Sequence, residues 1–221
     1  IVSADLARLA DCLAGVEQAG VEYFHVDVAD GHFVPNLMVG PDLARAVVQS
    51  VGVPVDCHLM IEEPLRYAPA FAEAGVERIL IHGECVDDLP AAIQELKDMG
   101  VETGIALKPR QEVDFLRQVE GQLDCLMAMT VEPGFSGQSF MEEGCRKIPL
   151  LREMFGPDID IYVDGGLSPE TAPTAVGYGA NVIVAASAIF RADAEPAEAT
   201  RQLRRAAEDA LPADSQTEND I

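Results

Sequence analysis

Four stretches of the sequence share one local grammar: QAGVEYFHV, EAGVERILIH, DMGVETGIAL and, more loosely, GYGANVIVAAS. In each, a segment with helical spacing runs up to a glycine (Gly20, Gly75, Gly100 or Gly179), and an apolar strand follows at once. Glycine suits the left-handed position that closes a helix. Extended along the chain, the pattern predicts helices over roughly 5–18, 41–50, 64–74, 87–98, 111–118, 141–154, 168–177 and 194–209. It predicts strands over roughly 21–28, 53–60, 77–82, 102–107, 123–129, 159–164 and 181–186, with residues 1–3 as the stub of a first strand truncated at its N-terminus. Strand and helix alternate without a break, which implies parallel βα units. Eight such units favour an α/β fold of one kind, a single (β/α)8 TIM barrel over residues 1–209, rather than an open doubly wound sheet. The stretch 210–221 is polar and acidic and is expected to be a disordered tail.

Composition narrows the function classes. No apolar run approaches the ~18 residues of a membrane span. IVSADLARLADCLAG lacks the basic, apolar and small-residue regions of a signal peptide, so a cytoplasmic location is expected. Five scattered cysteines, never in a C-x-x-C pair, give neither a disulfide framework nor a zinc cluster. The formal charge is −23, from 38 acidic and 15 basic residues. Such a surface repels nucleic acid and anionic membranes. With only three lysines (Lys97, Lys108, Lys147), it also suits a high-salt cytoplasm, where self-repulsion is screened.

In a barrel of this kind the active site lies at the C-terminal ends of the strands. His25 and Asp27 close one predicted strand, His58 in VPVDCHLM the next, and Asp164 in DIYVDGGL the strand at 159–164. Taken singly, each is more simply a core histidine or a loop aspartate with hydrogen-bond partners. Two imidazoles and two carboxylates at one rim suit a divalent metal ion such as Zn, Mn, Fe or Co. Three glycine-punctuated or helix-opening segments follow the late strands: MTVEPGFSGQSF, DGGLSPET (with Ser168 as N-cap and Pro169 in the first helical turn) and AASAIF. Their backbone N–H groups offer a phosphate site opposite the metal. Metal and phosphate on one rim point to a small phosphorylated substrate whose carbonyl is polarised while a neighbouring carbon loses a proton. Two carboxylates on opposite walls, removing a proton from one face and returning it to the other, would invert that carbon.

These residues resemble the ribulose-phosphate 3-epimerase family, which interconverts D-ribulose 5-phosphate and D-xylulose 5-phosphate on a ribulose-phosphate-binding (β/α)8 barrel. IVSADLARL is similar to the family's I-L-S-A-D-x-x-x-L, and HVDVADGHFVPN, DCHLM, MTVEPGFSGQSF, VDGG and SAIF follow in order as far as about Phe190. The resemblance implies that His25, Asp27, His58 and Asp164 bind the metal, and that Asp27 and Asp164 are also the catalytic acid/base pair. It places Met60 and Met129 around the enediolate, and Gly134, Gly137, Gly165, Gly166 and Ser187 at the phosphate. Ser3, Phe135, Ser136 and Ala186 are expected at the substrate with them. The family's assemblies imply a homo-oligomer, dimer or hexamer. Three positions depart from the pattern. Ala29 replaces a cavity methionine and is expected to leave room there, and Ser136 and Ala186 replace glycines near the phosphate. These are the residues that would tune the site toward a ketohexose 6-phosphate of the allulose 6-phosphate type, or leave a non-catalytic sugar-phosphate-binding barrel. Among the remaining polar residues, Asp30 is expected to fix a turn, and His32 and Asn36 to be loop structure. Lys108 falls where an aldolase would carry its Schiff-base lysine, which the resemblance disfavours. His82 is expected to be a hydrogen-bonded rim histidine rather than a support for the metal ligands.

Overall fold

The glycine joints behave as their missing side chain allows: Gly20, Gly75, Gly100 and Gly179 sit at φ of 91°, 92°, 80° and 105°, the left-handed region that other residues avoid. A computed structural model describes residues 1–211, and among them seven strands form one sheet in chain order. They are β1 (Phe24–Ala29), β2 (Val55–Met60), β3 (Arg78–His82), β4 (Glu102–Leu107), β5 (Cys125–Met129), β6 (Asp160–Asp164) and β7 (Val182–Val184). Every neighbouring pair is parallel. Before, between and after them come α1 (Leu9–Gln18), α2 (Pro41–Ser50), α3 (Pro64–Ala74), α4 (Leu89–Asp98), α5 (Ile148–Phe155), α6 (Ala172–Gly177), α7 (Ser187–Phe190) and α8 (Pro196–Glu208).

The strands are covered on both faces, as parallel sheets require. Val26, Leu59 and Ile81 pack outward against helix residues such as Leu13, Phe71 and Ile93 in the main core. Alternate positions turn inward, where Leu80, Ala106, Met127, Met129 and Tyr162 form a second cluster. A curled parallel sheet inside a ring of helices is the architecture of the (β/α)8 barrel.

The departures from the expected elements have local causes. Residues 1–3 form no strand, because the Ala4 N–H closes a turn on the Ile1 carbonyl (2.9 Å) and the chain bends away before a ladder extends. The Ile1 amine makes one bond to the sheet, donating to the His25 carbonyl at 2.8 Å. Among the described residues β1 and β7 are therefore the two ends of the sheet, and a cleft of about 510 Å³ separates them, lined by Val21, Phe24, Val182 and Leu203. The segment expected as a helix at 111–118 is a 3-10 helix at Asp114–Val119, closed by Gly121 at φ 71° before an α-helix can propagate. Glu142–Lys147 is likewise 3-10, and α5 begins only at Ile148, next to Pro149. Ser168 does not cap a helix. Its carbonyl accepts from the N–H groups of Thr171 and Ala172 in a turn, and α6 starts after Thr171. Helix α7 was not foreseen. The expected tail lies outside the described residues from 212 onward. No helix among the described residues is long and apolar enough to cross a membrane.

Candidate active site

The ladder between β1 and β2 sets His25 opposite Asp56 and Asp27 opposite His58. Alternate residues of a strand share a face, so all four point into the barrel. The curl of the sheet brings Asp164, the last residue of β6, across to them. One donor atom from each of His25, Asp27, His58 and Asp164 then lies within 4.8 Å of the others. The four residues expected at the rim are thus gathered into one cluster.

His25 Nε2 is buried without a hydrogen-bond partner, and Asp27 Oδ1 stands 3.5 Å away. The same oxygen is 3.2 Å from His58 Nδ1. A buried nitrogen with no partner is costly, and here it points at a carboxylate oxygen shared with a second imidazole. Two nitrogens and two carboxylates in that arrangement fit a divalent first-row ion.

The two aspartates are held in different states. Burial pushes Asp164 up to about 6, aided by the negative charge of Asp27 and opposed by His25 and His58. Asp27 is equally enclosed, but the nearby imidazoles of His25 and His58, through their polar contact and positive charge, override that cost and hold it well below the carboxylate range. Burial pulls His25 down, yet Asp56 and Asp27 outweigh it and keep the imidazole well above its ordinary value. Carboxylates pushed apart in this way are the pattern of an acid/base pair.

Both imidazoles rest on deeper groups. His25 Nδ1 lies 2.5 Å from Asp56 Oδ1, and Tyr162 Oη donates to Asp56 Oδ2 at 2.8 Å. Arg78 in turn donates to the Tyr162 oxygen at 2.5 Å and binds Glu102 and Asp160. His58 Nε2 meets His82 Nε2 at 2.9 Å. The expectation that His82 is only a rim histidine is therefore corrected: it is fully buried against a member of the cluster. Burial above all, then the charges of His58 and Lys108, hold it well below the usual imidazole range.

Asp27 and Asp164 also line a cleft that holds most of the other expected residues. Met60 and Met129 are on its wall, as are Gly134, Phe135, Ser136 and Gly137 of one loop. Gly165, Gly166, Ala186 and Ser187 complete it. A Cβ on Gly165 would stand 2.5 Å from Val131 Cγ2, and one on Gly166 2.5 Å from the Phe140 nitrogen, so only glycine fits this turn. Ser3 is buried outside the cleft wall, its Oγ 2.7 Å from Ser136 Oγ. Ser136 and Ala186 replace glycine without backbone strain, since among the described residues only glycines have positive φ and Ala186 sits at −121°. The room expected beside Ala29 is taken by Met38, which packs with Ala29 and Met60 and lines the cleft.

Asp30 fixes its turn as expected, accepting from the N–H groups of His32, Phe33 and Glu62. Asn36 donates to the Gly134 carbonyl at 2.8 Å, tying two loops of the cleft together. Lys108 pairs with Glu84 at 3.0 Å over the Phe33 ring, away from the cleft lining. Sequence reasoning missed Asp56, Tyr162, Arg78 and Met38. Asp56 was accessible by strand alternation, two residues before His58, whereas Met38 sits in a loop with no periodic signal.

The fold is a (β/α)8 barrel with two histidines and two aspartates clustered at its rim. Residues 1–190 match the sequence model of the ribulose-phosphate 3 epimerase family, and the chain belongs to that family. It is 43% identical over 194 residues to a ribulose-phosphate 3-epimerase of Bacillus subtilis, covering 86% of this chain and 89% of the relative. It is 41% identical to one of Methanocaldococcus jannaschii over 222 residues, 99% of this chain and 94% of that protein. Among solved structures, KGPDC from Streptococcus mutans superposes with a TM-score of 0.70 at 16% identity, covering 95% of this chain and 95% of that one. At that identity the likeness concerns the fold alone.

Proposed function

We propose that this chain inverts C3 of D-ribulose 5-phosphate to give D-xylulose 5-phosphate, with Asp27 and Asp164 as the acid/base pair. The observation that carries this reading is two half-buried carboxylates in one four-donor cluster, one held ionised and the other pushed up to about 6. His25, Asp27, His58 and Asp164 would hold a divalent ion, which supplies polarisation of the substrate carbonyl and so acidifies the neighbouring C–H. One aspartate takes the C3 proton, and the carbon becomes planar in the enediolate. The other delivers a proton to the opposite face, and the roles exchange in the reverse reaction. Met60, Met129 and Met38 keep water from the planar intermediate, while the backbone of Gly134, Gly137, Gly165 and Gly166, with Ser187, grips the phosphate. Ser3 acts through Ser136, and Phe135 and Ala186 shape the same wall. Residues 1–209 act as one barrel unit, in the cytoplasm and as a homo-oligomer.

The test is a coupled assay of D-ribulose 5-phosphate with and without prior chelation. Activity should fall on chelation and return with manganese, zinc, iron or cobalt. Turnover indifferent to chelation would overturn the metal. A folded, metal-loaded protein that inverts only a ketohexose 6-phosphate would overturn the substrate.

A further inference from the structure

A buried polar chain beneath His25 is left unused by the reaction itself. Asp56 is fully buried at the centre of the barrel, where an ionised carboxylate is costly unless it is paired. The simplest reason for a buried acid would be to neutralise Arg78. Arg78 already has two carboxylates of its own, however, Asp160 at 3.1 Å and Glu102 at 2.5 Å. The partners of Asp56 are instead His25 Nδ1 and the Tyr162 hydroxyl. Tyr162 is kept protonated, first by burial and then by the charge of Asp56, so it serves Asp56 as a donor. Arg78 donates to the same hydroxyl oxygen from below and stacks over the Tyr162 ring at 5.4 Å. Hydrogen bonds thus run in one direction, from Arg78 through Tyr162 to Asp56.

We propose that Asp56 is the positioning residue of the site: it accepts the Nδ1 proton of His25, fixing the tautomer and ring so that Nε2 faces the cluster, and Tyr162 and Arg78 hold it there. The geometry demands this assignment, because with Nδ1 committed to Asp56 the remaining nitrogen is the buried, unpartnered Nε2. A carboxylate behind a ligating imidazole orients the ring and raises its basicity, and its loss typically weakens metal binding 10- to 100-fold. This inference rests on the proposed metal site, and its test separates the two.

Cobalt(II) is titrated into metal-free protein and followed by its visible absorption, with thermal melting of the same samples as the measure of fold. Asp56→Asn preserves the shape and removes the charge, and it should weaken cobalt binding by about 10- to 100-fold. Tyr162→Phe should weaken it less, because only one hydrogen bond to Asp56 is lost. A purely structural role would lower the melting temperature and leave the cobalt affinity unchanged, and that result in Asp56→Asn overturns the proposal. Should Asp56→Asn fail to fold, Tyr162→Phe decides alone: weakened binding supports the chain of support, wild-type binding overturns it. No cobalt spectrum in the wild type would remove the metal site itself and this inference with it.

Discussion

On the side of the barrel formed by β1, β2 and β3, each imidazole of the site stands on a buried partner, His25 on Asp56 and His58 on His82. On the β6 side, Asp164 meets the cluster through burial and charge, with no hydrogen bond among the causes of its shift. One wall is braced and the other is free to change its protonation. The same contrast separates the two carboxylates, Asp27 held ionised by its neighbours and Asp164 displaced toward neutral pH. In the proposed reaction one aspartate starts ionised and the other protonated, and this asymmetry matches that requirement.

The largest effect should come from removing either member of that pair. Asp27→Asn and Asp164→Asn are each expected to lower epimerisation by at least about 10²-fold, the low end of what a positioned acid/base group contributes. Solvent-deuterium exchange sharpens the contrast. Each variant keeps one working group, so it should exchange the C3 proton of one epimer without inverting it, and the two variants should favour opposite epimers. Inversion near the wild-type rate in either would remove that residue from the pair.

A smaller effect tests the free wall by itself. Asp164 binds its proton more tightly in the folded protein, near 6, than a carboxylate of ordinary value 3.8 does in the unfolded chain. Its contribution to stability is therefore fully present below about pH 3.8 and is lost as the pH rises through about 6. Asp27 has the opposite sign: its contribution is present above 3.8 and disappears only in more acidic solution. Between pH 4 and 6 the loss of the Asp164 proton lowers stability as the pH rises, while His82, neutral in the fold but protonated in the unfolded chain, pulls the other way. Asp164→Asn removes only the first contribution, so its melting temperature should rise more steeply with pH across that window than that of the metal-free wild type. An unchanged slope in the variant would place the titration elsewhere.

How much of this was legible in the sequence follows the same division. The repeated glycine joints carried the fold, because left-handed backbone has few tenants and each joint announces a strand. Asp27, His58 and Asp164 were visible because they lie in the C-terminal halves of their strands, where a barrel places its chemistry, and His25 because it shares the face of Asp27. The braces were less visible because they lie one layer deeper. Asp56 and Tyr162 occupy mid-strand positions, where a polar residue is easily taken for an isolated oddity, and only the register of β1 against β2 shows that His25 and Asp56 face each other. Helix limits near 111–118 and 168–177 failed for a different reason. Near 168–177 a turn closed by backbone and threonine hydrogen bonds at Ser168 and Thr171 competes with the first helical turn, near 111–118 Gly121 closes a 3-10 helix, and spacing alone ranks neither outcome.

The smallest expected effect separates the two braces. Asp56 is an anion behind His25, whereas His82 is a buried imidazole held neutral behind His58. If His58 offers Nδ1 to the cluster, its Nε2 proton goes to His82 Nε2, and the His82 proton then sits on Nδ1. That atom is buried without a hydrogen-bond partner, 3.8 Å from Glu84 Oε1. A neutral acceptor orients its ring as an anion does but adds little basicity, so His82→Asn should weaken cobalt binding less than about 10-fold, below the effect of Asp56→Asn. The same cobalt titration on both variants reads the difference directly. Equal losses would mean that orientation alone matters and that the charge of Asp56 contributes nothing of its own. A larger loss in His82→Asn would reverse the comparison and make the β3 side the principal brace of the site.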